Sequence, residues 1–315
     1  MSLYPFKSKP VLRIRSYAKI NLHLEILGIR DDNFHELSMV MQSVDLADNI
    51  SFFKSSSEKI NLETNNKKLS NYKDNLIVKA ANILKEASGQ NDLGVNIYLE
   101  KNIPIGAGLA GGSSNAASTL KALNILWELE YDDNLLFKFA SELGSDVPFC
   151  LKGGTKFCFG RGEIVENINS GLKEYGVILI KDPNESISTP SAYNLYKKKY
   201  YSQYLKDVSD INNKRTELRS CEWIVNFNNS KFPLRNDLQT VIVPINESVS
   251  KALSLLSQVN NVINYSMSGS GPTCFALFDD YQIAKDEFLR NKNIFKENGF
   301  DSWCSNFVCM GNSIY

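Results

Sequence analysis

Three features are missing from this sequence of 315 residues: a paired cysteine motif, an apolar run of membrane-spanning length and an excess of charge of one sign. None of the six cysteines is spaced C-x-x-C, which argues against a zinc knuckle and a redox-active pair. The apolar runs are too short to cross a bilayer, and residues 1–10 contain no apolar segment of a signal peptide. These absences predict a cytoplasmic protein with reduced thiols.

The charge balance predicts neither a nucleic-acid partner nor a membrane partner. Lys plus Arg and Asp plus Glu are equal at 35 each, so no overall field attracts the chain to a polyanion. A Lys- and Tyr-rich stretch at 196–204 offers charge and stacking surfaces of the kind that bind single strands. Asp207 and Asp210 dilute that charge, so we expect a solvated helix there.

Length and composition predict two globular domains. The chain is 43% apolar and 22% charged, which is ordinary for a protein with a packed core, and it is long for one domain. Strand patterns and helix patterns are interleaved, and the pattern of apolar and polar residues changes near residue 170. We therefore expect an α+β protein with domains at 1–170 and 171–315.

Strict alternation of apolar and polar residues predicts a half-buried strand at 20–26. We expect its apolar residues to face one core, and they are Ile20, Leu22, Leu24 and Ile26. We expect its polar residues to share the opposite face, and they are Lys19, Asn21, His23 and Glu25.

Apolar residues at helical spacing predict several helices, four of which have clear positions. Polar caps and glycine stops indicate some of their ends. Asp74 and Asn246 are the expected N-terminal caps, and Gly89 and Gly144 are the expected stops. The helical segments lie at 74–89, 116–127, 135–143 and 246–259.

The most informative segment is a glycine-rich stretch between a predicted strand and a predicted helix. Glycine permits positive φ and close approach, so successive N–H groups can converge on an anion, and the helix dipole also favours negative charge. These features predict a triphosphate site, and the two serines could cap the helix, contact a phosphate or ligate magnesium. A glycine turn without a ligand is the alternative. The residues of this predicted ATP site are Pro104, Ile105, Gly106, Ala107, Gly108, Leu109, Ala110, Gly111, Gly112, Ser113 and Ser114.

The better-known phosphate loops do not match this stretch. Its G-x-G-x-x-G spacing fits the dinucleotide fingerprint, but residues 101–104 separate it from the strand, and no second strand ending in an acidic residue follows. A Walker A loop needs a lysine after the last glycine, and none follows Gly112. The partner motifs of protein kinases are absent as well. A nicotinamide oxidoreductase is kept only as an alternative.

The stretch resembles the second motif of the GHMP kinase superfamily, P-x-G-x-G-L-x-(G)-S-S. Further blocks follow the family order: SYAKINL at 16–22 resembles the first motif, GSDVPF at 144–149 the G-x-D-V-P-F segment, and SMSGSG at 266–271 the M-S-G-[ST]-G loop. The doubled glycine at 111–112 and the segment at 33–35 resemble the branch that acts on a cytidine-diphosphate-linked methylerythritol. Asn236-Asp237-Leu238 also matches.

The resemblance implies a two-domain GHMP kinase fold. An N-terminal ATP-binding domain like ribosomal protein S5 domain 2 would precede a ferredoxin-like C-terminal domain that binds substrate. ATP and Mg²⁺ are the implied co-substrates, and the reaction is phosphorylation of the methylerythritol 2-hydroxyl on the non-mevalonate route to isoprenoid precursors. A monomer or a homodimer would carry it out in the cytoplasm. A homoserine-type or mevalonate-type kinase and a non-catalytic nucleotide-binding protein are the alternatives.

The same resemblance assigns roles to three polar residues. Asp146 would be the general base that accepts the proton of the attacking hydroxyl, and a turn or helix-cap aspartate is the alternative. Lys19 would keep that carboxylate ionised and offset charge on the phosphoryl oxygens, and a solvated lysine is the alternative. Asn21 projects from the same strand face as Lys19, so it could bond the erythritol part.

A cytidine group needs a stacking surface and polar groups for the base edge. Phe34 and His35 supply both, and Tyr193 could close the other side of the base. The family often has tyrosine where Phe34 stands, so a hydroxyl is lost and the ring is kept. Ser268 and Gly269 could wall the phosphate or the substrate, or only form a tight turn. The magnesium ligands are unknown from the sequence.

Overall fold

The chain forms two β-sheets in which most neighbouring strands are antiparallel. The computed structural model describes residues 5–6, 8–69, 74–168, 175–221 and 233–315, and these form an eight-stranded sheet and a four-stranded sheet. The larger sheet contains β1 (Leu12–Ile29), β2 (His35–Lys54), β3 (Ile60–Thr64), β4 (Val95–Glu100), β5 (Thr155–Gly160), β6 (Ile164–Asn167), β8 (Arg235–Asn236) and β12 (Asn312–Ile314). The smaller sheet contains β7 (Gly176–Lys181), β9 (Asn264–Met267), β10 (Cys274–Phe278) and β11 (Asp301–Asn306).

Helices cover the outer faces of the sheets. They are α1 (Leu76–Ser88), α2 (Gly111–Leu126), α3 (Asp133–Leu143), α4 (Val147–Lys152), α5 (Thr189–Tyr200), α6 (Val208–Ser220), α7 (Gln239–Ile242), α8 (Glu247–Ser257) and α9 (Tyr281–Glu297). Short 3₁₀ turns lie at Lys67–Leu69, Tyr201–Gln203 and Val243–Ile245. No helix within the described ranges is both long enough and apolar enough to cross a membrane.

Most of the predicted helix ends are confirmed. Asn246 accepts the N–H of Val249 at the start of α8, and Gly89 ends α1 with φ 66°. The predicted cap of α1 is one residue off, because Asn75 and not Asp74 accepts the N–H of Ile77. Asn75 directly precedes the first helical residue, Leu76, and its side chain accepts the N–H two residues further on, as an N-cap does.

The smaller sheet has the ferredoxin-like arrangement that the resemblance implied. Its strand order is β11-β7-β10-β9, and each neighbouring pair is antiparallel. Helix α8 precedes β9, and α9 connects β10 to β11. The four strands with these two helices therefore follow the order β-α-β-β-α-β, and α5, α6, β8 and α7 are inserted between β7 and α8. Interleaved strands and helices in this order confirm the predicted α+β class.

One apolar cluster lies between the two sheets. Ile20, Val40 and Phe157 from the larger sheet belong to the same buried cluster as Leu179 and Phe275 from the smaller sheet. Strand β7 is therefore buried on both faces, which explains its continuous apolar sequence. The shared layer fixes the position of one sheet against the other, so residues far apart in the chain can meet in one site.

The predicted boundary near residue 170 falls at 169–174, outside the described residues. The division into 1–170 and 171–315 therefore stays a prediction. Two strands from the later part of the chain join the larger sheet, since β8 and β12 both pair with β1.

A β-bulge interrupts strand β1 in the middle of its most polar stretch. Asn21 pairs with Met41, whereas His23 pairs with the preceding partner residue, Val40. Leu22 is therefore an extra residue in β1. An extra residue reverses the alternation of side chains beyond that point.

The bulge makes the predicted division of faces in this strand wrong. Ile20 and Leu22 pack between the sheets, but Leu24 and Ile26 pack in the other core cluster. Lys19 therefore shares its face with the apolar residues that follow the bulge. Strict alternation in the sequence does not reveal the inserted residue.

The Lys- and Tyr-rich stretch forms the end of α5 and a 3₁₀ turn. Lys198 and Lys199 are exposed, in agreement with the predicted solvated helix. Tyr196 is buried, however, and its hydroxyl donates to Asp237 at 3.1 Å. The helix is solvated on one side only, and the other side fastens it to the turn that follows β8.

Candidate active site

A cleft of about 760 Å³ brings most of the predicted site residues together. Residues 104–113 line one part of it, and Lys19, Asn21 and Asp146 line the middle. The remaining predicted residues on the cleft are Phe34, His35, Tyr193 and Gly269. Ser114 and Ser268, which were also predicted, are both fully buried and do not line it.

The glycine-rich loop is bonded directly to strand β1. The backbone N–H of Lys19 donates to the carbonyl of Leu109 at 3.1 Å. The Ser114 hydroxyl donates to the carbonyl of Tyr17 at 2.6 Å and accepts from the Ser16 hydroxyl at 2.8 Å. Ser114 is therefore an anchor of the loop, and its hydroxyl does not point to a phosphate in the cleft.

The N-terminus of helix α2 has the features of an anion site. Ala110 precedes the helix with φ 53°, and no side chain caps the first turn. Gly111, Gly112 and Ser113 then form the first turn and line the cleft. Uncapped N–H groups and the positive end of the helix dipole both attract a phosphate group.

Lys19 and Asp146 form an ion pair in the middle of the cleft. Lys19 Nζ lies 3.5 Å from Asp146 Oδ2 and donates to Asn21 Oδ1 at 2.7 Å. Lys19 is only 4% exposed, which rules out the solvated-lysine alternative. Burying an ammonium group is costly unless it has charged or polar acceptors, and these two partners supply them.

The Asp146 side chain is available for chemistry because it does not cap a helix. Asp146 occupies the N-cap position of α4, but its side chain makes no capping hydrogen bond. Its side chain is 31% exposed, so a hydroxyl group in the cleft can reach the carboxylate. The helix-cap alternative is therefore not supported by the geometry.

The turn at 268–271 closes the cleft over the ion pair. A Cβ atom on Gly269 would lie 3.4 Å from Lys19 Nζ and 3.3 Å from Asn21 Oδ1. The Asn236 side-chain amide donates to the carbonyls of Met267 at 2.7 Å and Gly269 at 2.9 Å. Asn236 therefore holds the turn, a role that its sequence block alone did not indicate.

A buried ion pair supports the glycine-rich loop from below. Asp48 accepts from Lys101 Nζ at 2.5 Å and from the N–H groups of Asn102 at 2.7 Å and Ile103 at 2.8 Å. Burial lowers the pKa of Lys101, although Asp48 opposes that shift. The sequence did not indicate this pair, because Lys101 and Asp48 are separated by 53 residues.

Apolar residues form the far end of the cleft, next to the glycine-rich loop. Leu69, Leu76 and Leu99 line this end, and Asn75 lies beside them. They come from a 3₁₀ turn, the start of α1 and the end of β4, so their shared surface was not evident from the sequence. A flat heteroaromatic ring matches such a surface.

Aromatic side chains form another end of the cleft. Tyr193 stacks on His35 with the ring centroids 4.8 Å apart, and Tyr204 meets His35 edge-on at 5.8 Å. Phe34 is 49% exposed, and the guanidinium of Arg161 lies 5.1 Å from its ring centroid. Sequence analysis did not select Arg161, which lies far from Phe34 along the chain.

Burial and, to a smaller extent, the nearby Lys197 together lower the pKa of His35 to about 4. The imidazole is therefore neutral at pH 7 and has one nitrogen that donates and one that accepts. Burial also raises the pKa of the Tyr193 phenol, which stays protonated. This end of the cleft offers uncharged rings and hydrogen-bonding groups.

Comparison with known proteins agrees with this geometry. The sequence matches the GHMP kinases N terminal domain family over residues 75–154 and the GHMP kinases C terminal family over residues 224–293. A 4-diphosphocytidyl-2-C-methyl-D-erythritol kinase of Prochlorococcus marinus (strain MIT 9515) is 52% identical over 299 residues, which cover 95% of this chain and 96% of that protein. The chain belongs to this family of GHMP kinases. The resemblance inferred from the sequence motifs is confirmed.

Solved structures of GHMP kinases have the same fold. A 4-(cytidine 5'-diphospho)-2C-methyl-D-erythritol kinase matches with a TM-score of 0.74 and 27% identity, over 94% of this chain and 98% of that one. A homoserine kinase from Cytophaga hutchinsonii matches with a TM-score of 0.69 and 18% identity over the whole of both chains. The predicted two-domain GHMP kinase fold is therefore confirmed, and the second similarity concerns the fold alone.

Gly108 is a position in this GHMP kinase where a side chain should be harmful. Gly108 has φ +73°, and an added Cβ would lie 2.1 Å from the carbonyl oxygen of Ser268. Gly108→Ala should cost about 1–2 kcal/mol for its backbone conformation and about 1–3 kcal/mol more for the clash. We expect a lower free energy of unfolding in urea and weaker ATP binding by calorimetry.

Gly89 is a matched control, since its φ is +66° and nothing lies within 4 Å of an added Cβ. Gly89→Ala should show only the conformational cost of about 1–2 kcal/mol and unchanged ATP binding. Equal losses in the two variants would contradict a close contact between the glycine-rich loop and the turn at 268–271.

His35 should titrate far below an ordinary histidine. The chain has two histidines, so the NMR signal that is present in the wild type and absent from the His35→Gln variant belongs to His35. We expect the His35 signal to titrate with a midpoint near pH 4 and to stay constant between pH 6 and 8. A midpoint near 6.5 would mean that this end of the cleft is open to water.

Proposed function

We propose that this chain transfers the γ-phosphoryl group of ATP to the 2-hydroxyl of 4-diphosphocytidyl-2-C-methyl-D-erythritol, a step of the non-mevalonate route to isoprenoid precursors. The observation that carries the proposal is the ion pair between the buried Lys19 and the accessible Asp146, which lies in the same cleft as the uncapped N-terminus of α2. Relatives of that name at about half identity support the choice of substrate. We further propose that the enzyme works in the cytoplasm as a monomer or a homodimer.

The geometry supports an arrangement of ATP along the glycine-rich loop. The adenine ring would lie against Leu69, Leu76 and Leu99, and the triphosphate would follow residues 106–113. Its terminal phosphate would then reach the N-terminus of α2. Positioning and charge stabilisation, rather than covalent chemistry by the protein, dominate phosphoryl transfer.

Asp146 and Lys19 would act on the reacting atoms. The substrate oxygen attacks the γ-phosphorus, the bond to the β,γ-bridging oxygen breaks, and ADP leaves. Asp146 accepts the proton of the attacking hydroxyl. The Lys19 ammonium, held by Asp146 and Asn21, offsets the negative charge on the transferred phosphoryl group.

Magnesium would enter as the ion that ATP carries. The described part of the chain contains no group of three or more His, Cys, Asp or Glu side chains that could hold a metal. Among the polar side chains on the cleft, the Asp146 carboxylate and the Ser113 hydroxyl in the first turn of α2 are the donors that we place beside the phosphates. That donor set fits a Mg²⁺ ion that keeps most of its ligands from phosphate oxygens and water.

The aromatic end of the cleft would bind the cytidine group. Phe34 and Tyr193 offer ring faces for stacking, and the neutral His35 offers a donor and an acceptor for the base edge. Phe34 is about half exposed, so a base can cover its open part at little cost.

Replacing Asp146 should abolish turnover and leave nucleotide binding nearly intact. We expect Asp146→Asn to lower kcat by roughly 10²–10⁴-fold and to change the ATP dissociation constant only a few-fold, since the carboxylate acts mainly in the transition state. Asp133→Asn is a control, because Asp133 is exposed in the first turn of α3. A variant at position 146 with normal kcat would disprove the role of base.

A coupled assay that detects ADP tests the substrate. We expect turnover with 4-diphosphocytidyl-2-C-methyl-D-erythritol, and none above background with homoserine or mevalonate. Turnover of either of those alcohols alone would contradict the proposed substrate. ATP binding without turnover of any alcohol would instead indicate a nucleotide-binding protein that is not an enzyme.

A further inference from the structure

Arg161 lies beside Phe34 in the cleft. It belongs to the tight turn that connects β5 to β6, and it lines the cleft. Its guanidinium carbon lies 5.1 Å from the ring centroid of Phe34. On the next residue, Gly162, an added Cβ would lie 3.3 Å from the carbonyl oxygen of Ser145, the neighbour of Asp146. The turn therefore contacts the proposed base-binding ring through Arg161 and packs through Gly162 against the residue that precedes Asp146.

The charge of Arg161 is available to a ligand. Of the Lys and Arg residues on the described lining of the cleft, Lys19 is paired with Asp146 and Lys101 with Asp48. The Arg161 guanidinium donates to the neutral carbonyl of Ser141 at 2.9 Å. Among the described residues it forms no ion pair within 4.0 Å.

The carboxylates near this turn already have a cationic partner. Arg30 lies 3.3 Å from Asp32, 3.0 Å from Glu36 and 3.9 Å from Glu163. Glu163 also accepts the backbone N–H of Arg161 at 2.7 Å. This hydrogen bond involves the main chain of the turn and does not involve the Arg161 guanidinium. Arg161 does affect Asp32 electrostatically, but it is the smallest of the causes that lower the pKa of that carboxyl.

The position and the charge of Arg161 match one group of the proposed substrate. In a cytidine-diphosphate-linked alcohol, the diphosphate lies between the base and the reacting hydroxyl. A guanidinium group binds phosphate oxygens through two parallel hydrogen bonds, and it does so better than an ammonium group. A diphosphate placed near Asp146 without a cation would also be repelled by that carboxylate.

We propose that Arg161 binds the diphosphate of the substrate and is the main source of selectivity for cytidine diphosphate esters over uncharged alcohols. This inference rests on the proposed function. The Ser141 carbonyl and the Phe34 ring hold the guanidinium in place, so little side-chain entropy is lost when the substrate binds. Base stacking on Phe34 and phosphate binding at Arg161 are therefore adjacent parts of one recognition surface.

The test compares ligands that differ only in phosphate. Calorimetry would measure the binding of cytidine, CMP and CDP to the full chain saturated with a non-hydrolysable ATP analogue, so that the ATP site is occupied. We expect the wild type to prefer CDP over cytidine, and Arg161→Met to reduce that preference by about 10–100-fold. Arg161→Lys should fall between the two, because it keeps the charge and loses the two-pronged geometry.

Arg219→Met is a matched control. Arg219 also lies over a phenylalanine ring, at 4.5 Å from Phe159, but it is paired with Glu166 and does not line the cleft. It should leave the preference for CDP unchanged. Thermal unfolding of each variant would verify that the fold is kept, and Arg161→Lys serves if Arg161→Met does not fold.

Two results would overturn the proposal. Equal weakening of cytidine and CDP would mean that Arg161 acts only on the Phe34 ring, and an unchanged affinity for both ligands would mean that the diphosphate binds elsewhere. Steady-state kinetics should agree, with a higher KM for the cytidine-linked substrate and an unchanged KM for ATP. Failure of the proposed function would appear separately, as absence of turnover in the wild type.

Discussion

The backbone hydrogen bond from Lys19 to Leu109 joins the strand that carries the ammonium group to the loop that lines the triphosphate side of the cleft. Because the bond runs between main-chain atoms, it sets the distance from the loop to the Lys19–Asp146 pair whatever the nearby side chains are. The Ser114 hydroxyl on Tyr17 and the Ser268 hydroxyl on Gly108 fasten the same loop on two more sides. The loop is therefore held before any nucleotide binds, and preorganised N–H groups stabilise charge without reorganisation during the reaction.

Burial and charge are distributed differently along the cleft. At the centre, Lys19 is almost fully buried but has the Asp146 carboxylate and the Asn21 amide oxygen as partners. At the aromatic end, burial keeps His35 neutral, so stacking surfaces and uncharged hydrogen bonds dominate there. Arg161 lies beside Phe34, and its guanidinium forms no ion pair with a described carboxylate. A substrate with a neutral base, a charged linker and a reactive hydroxyl meets a matching surface at each part.

Local sequence patterns were sufficient for elements whose structure depends on neighbouring residues. The caps and stops at Asn246, Gly89 and Gly144 were correct because capping involves atoms within a few residues. The bulge at Leu22 was missed because it depends on the register against β2, which is set by a partner strand. The role of Ser114 was also misread, because its acceptor on Tyr17 lies 97 residues away.

The sequence by itself determined the glycine-rich loop, the family to which the chain belongs and half of the described residues that line the cleft, since these are recorded as short motifs with characteristic spacing. Only the tertiary structure decided which motif residues line the cleft and which hold the loop in place. Ser113 lines the cleft, whereas Ser114 bonds the loop to Tyr17. It also revealed Asp48 below the loop, Asn236 behind the turn at 268–271 and Arg161 beside Phe34. Their surroundings arise from the packing of two sheets on one apolar layer, and no short stretch of chain contains that information.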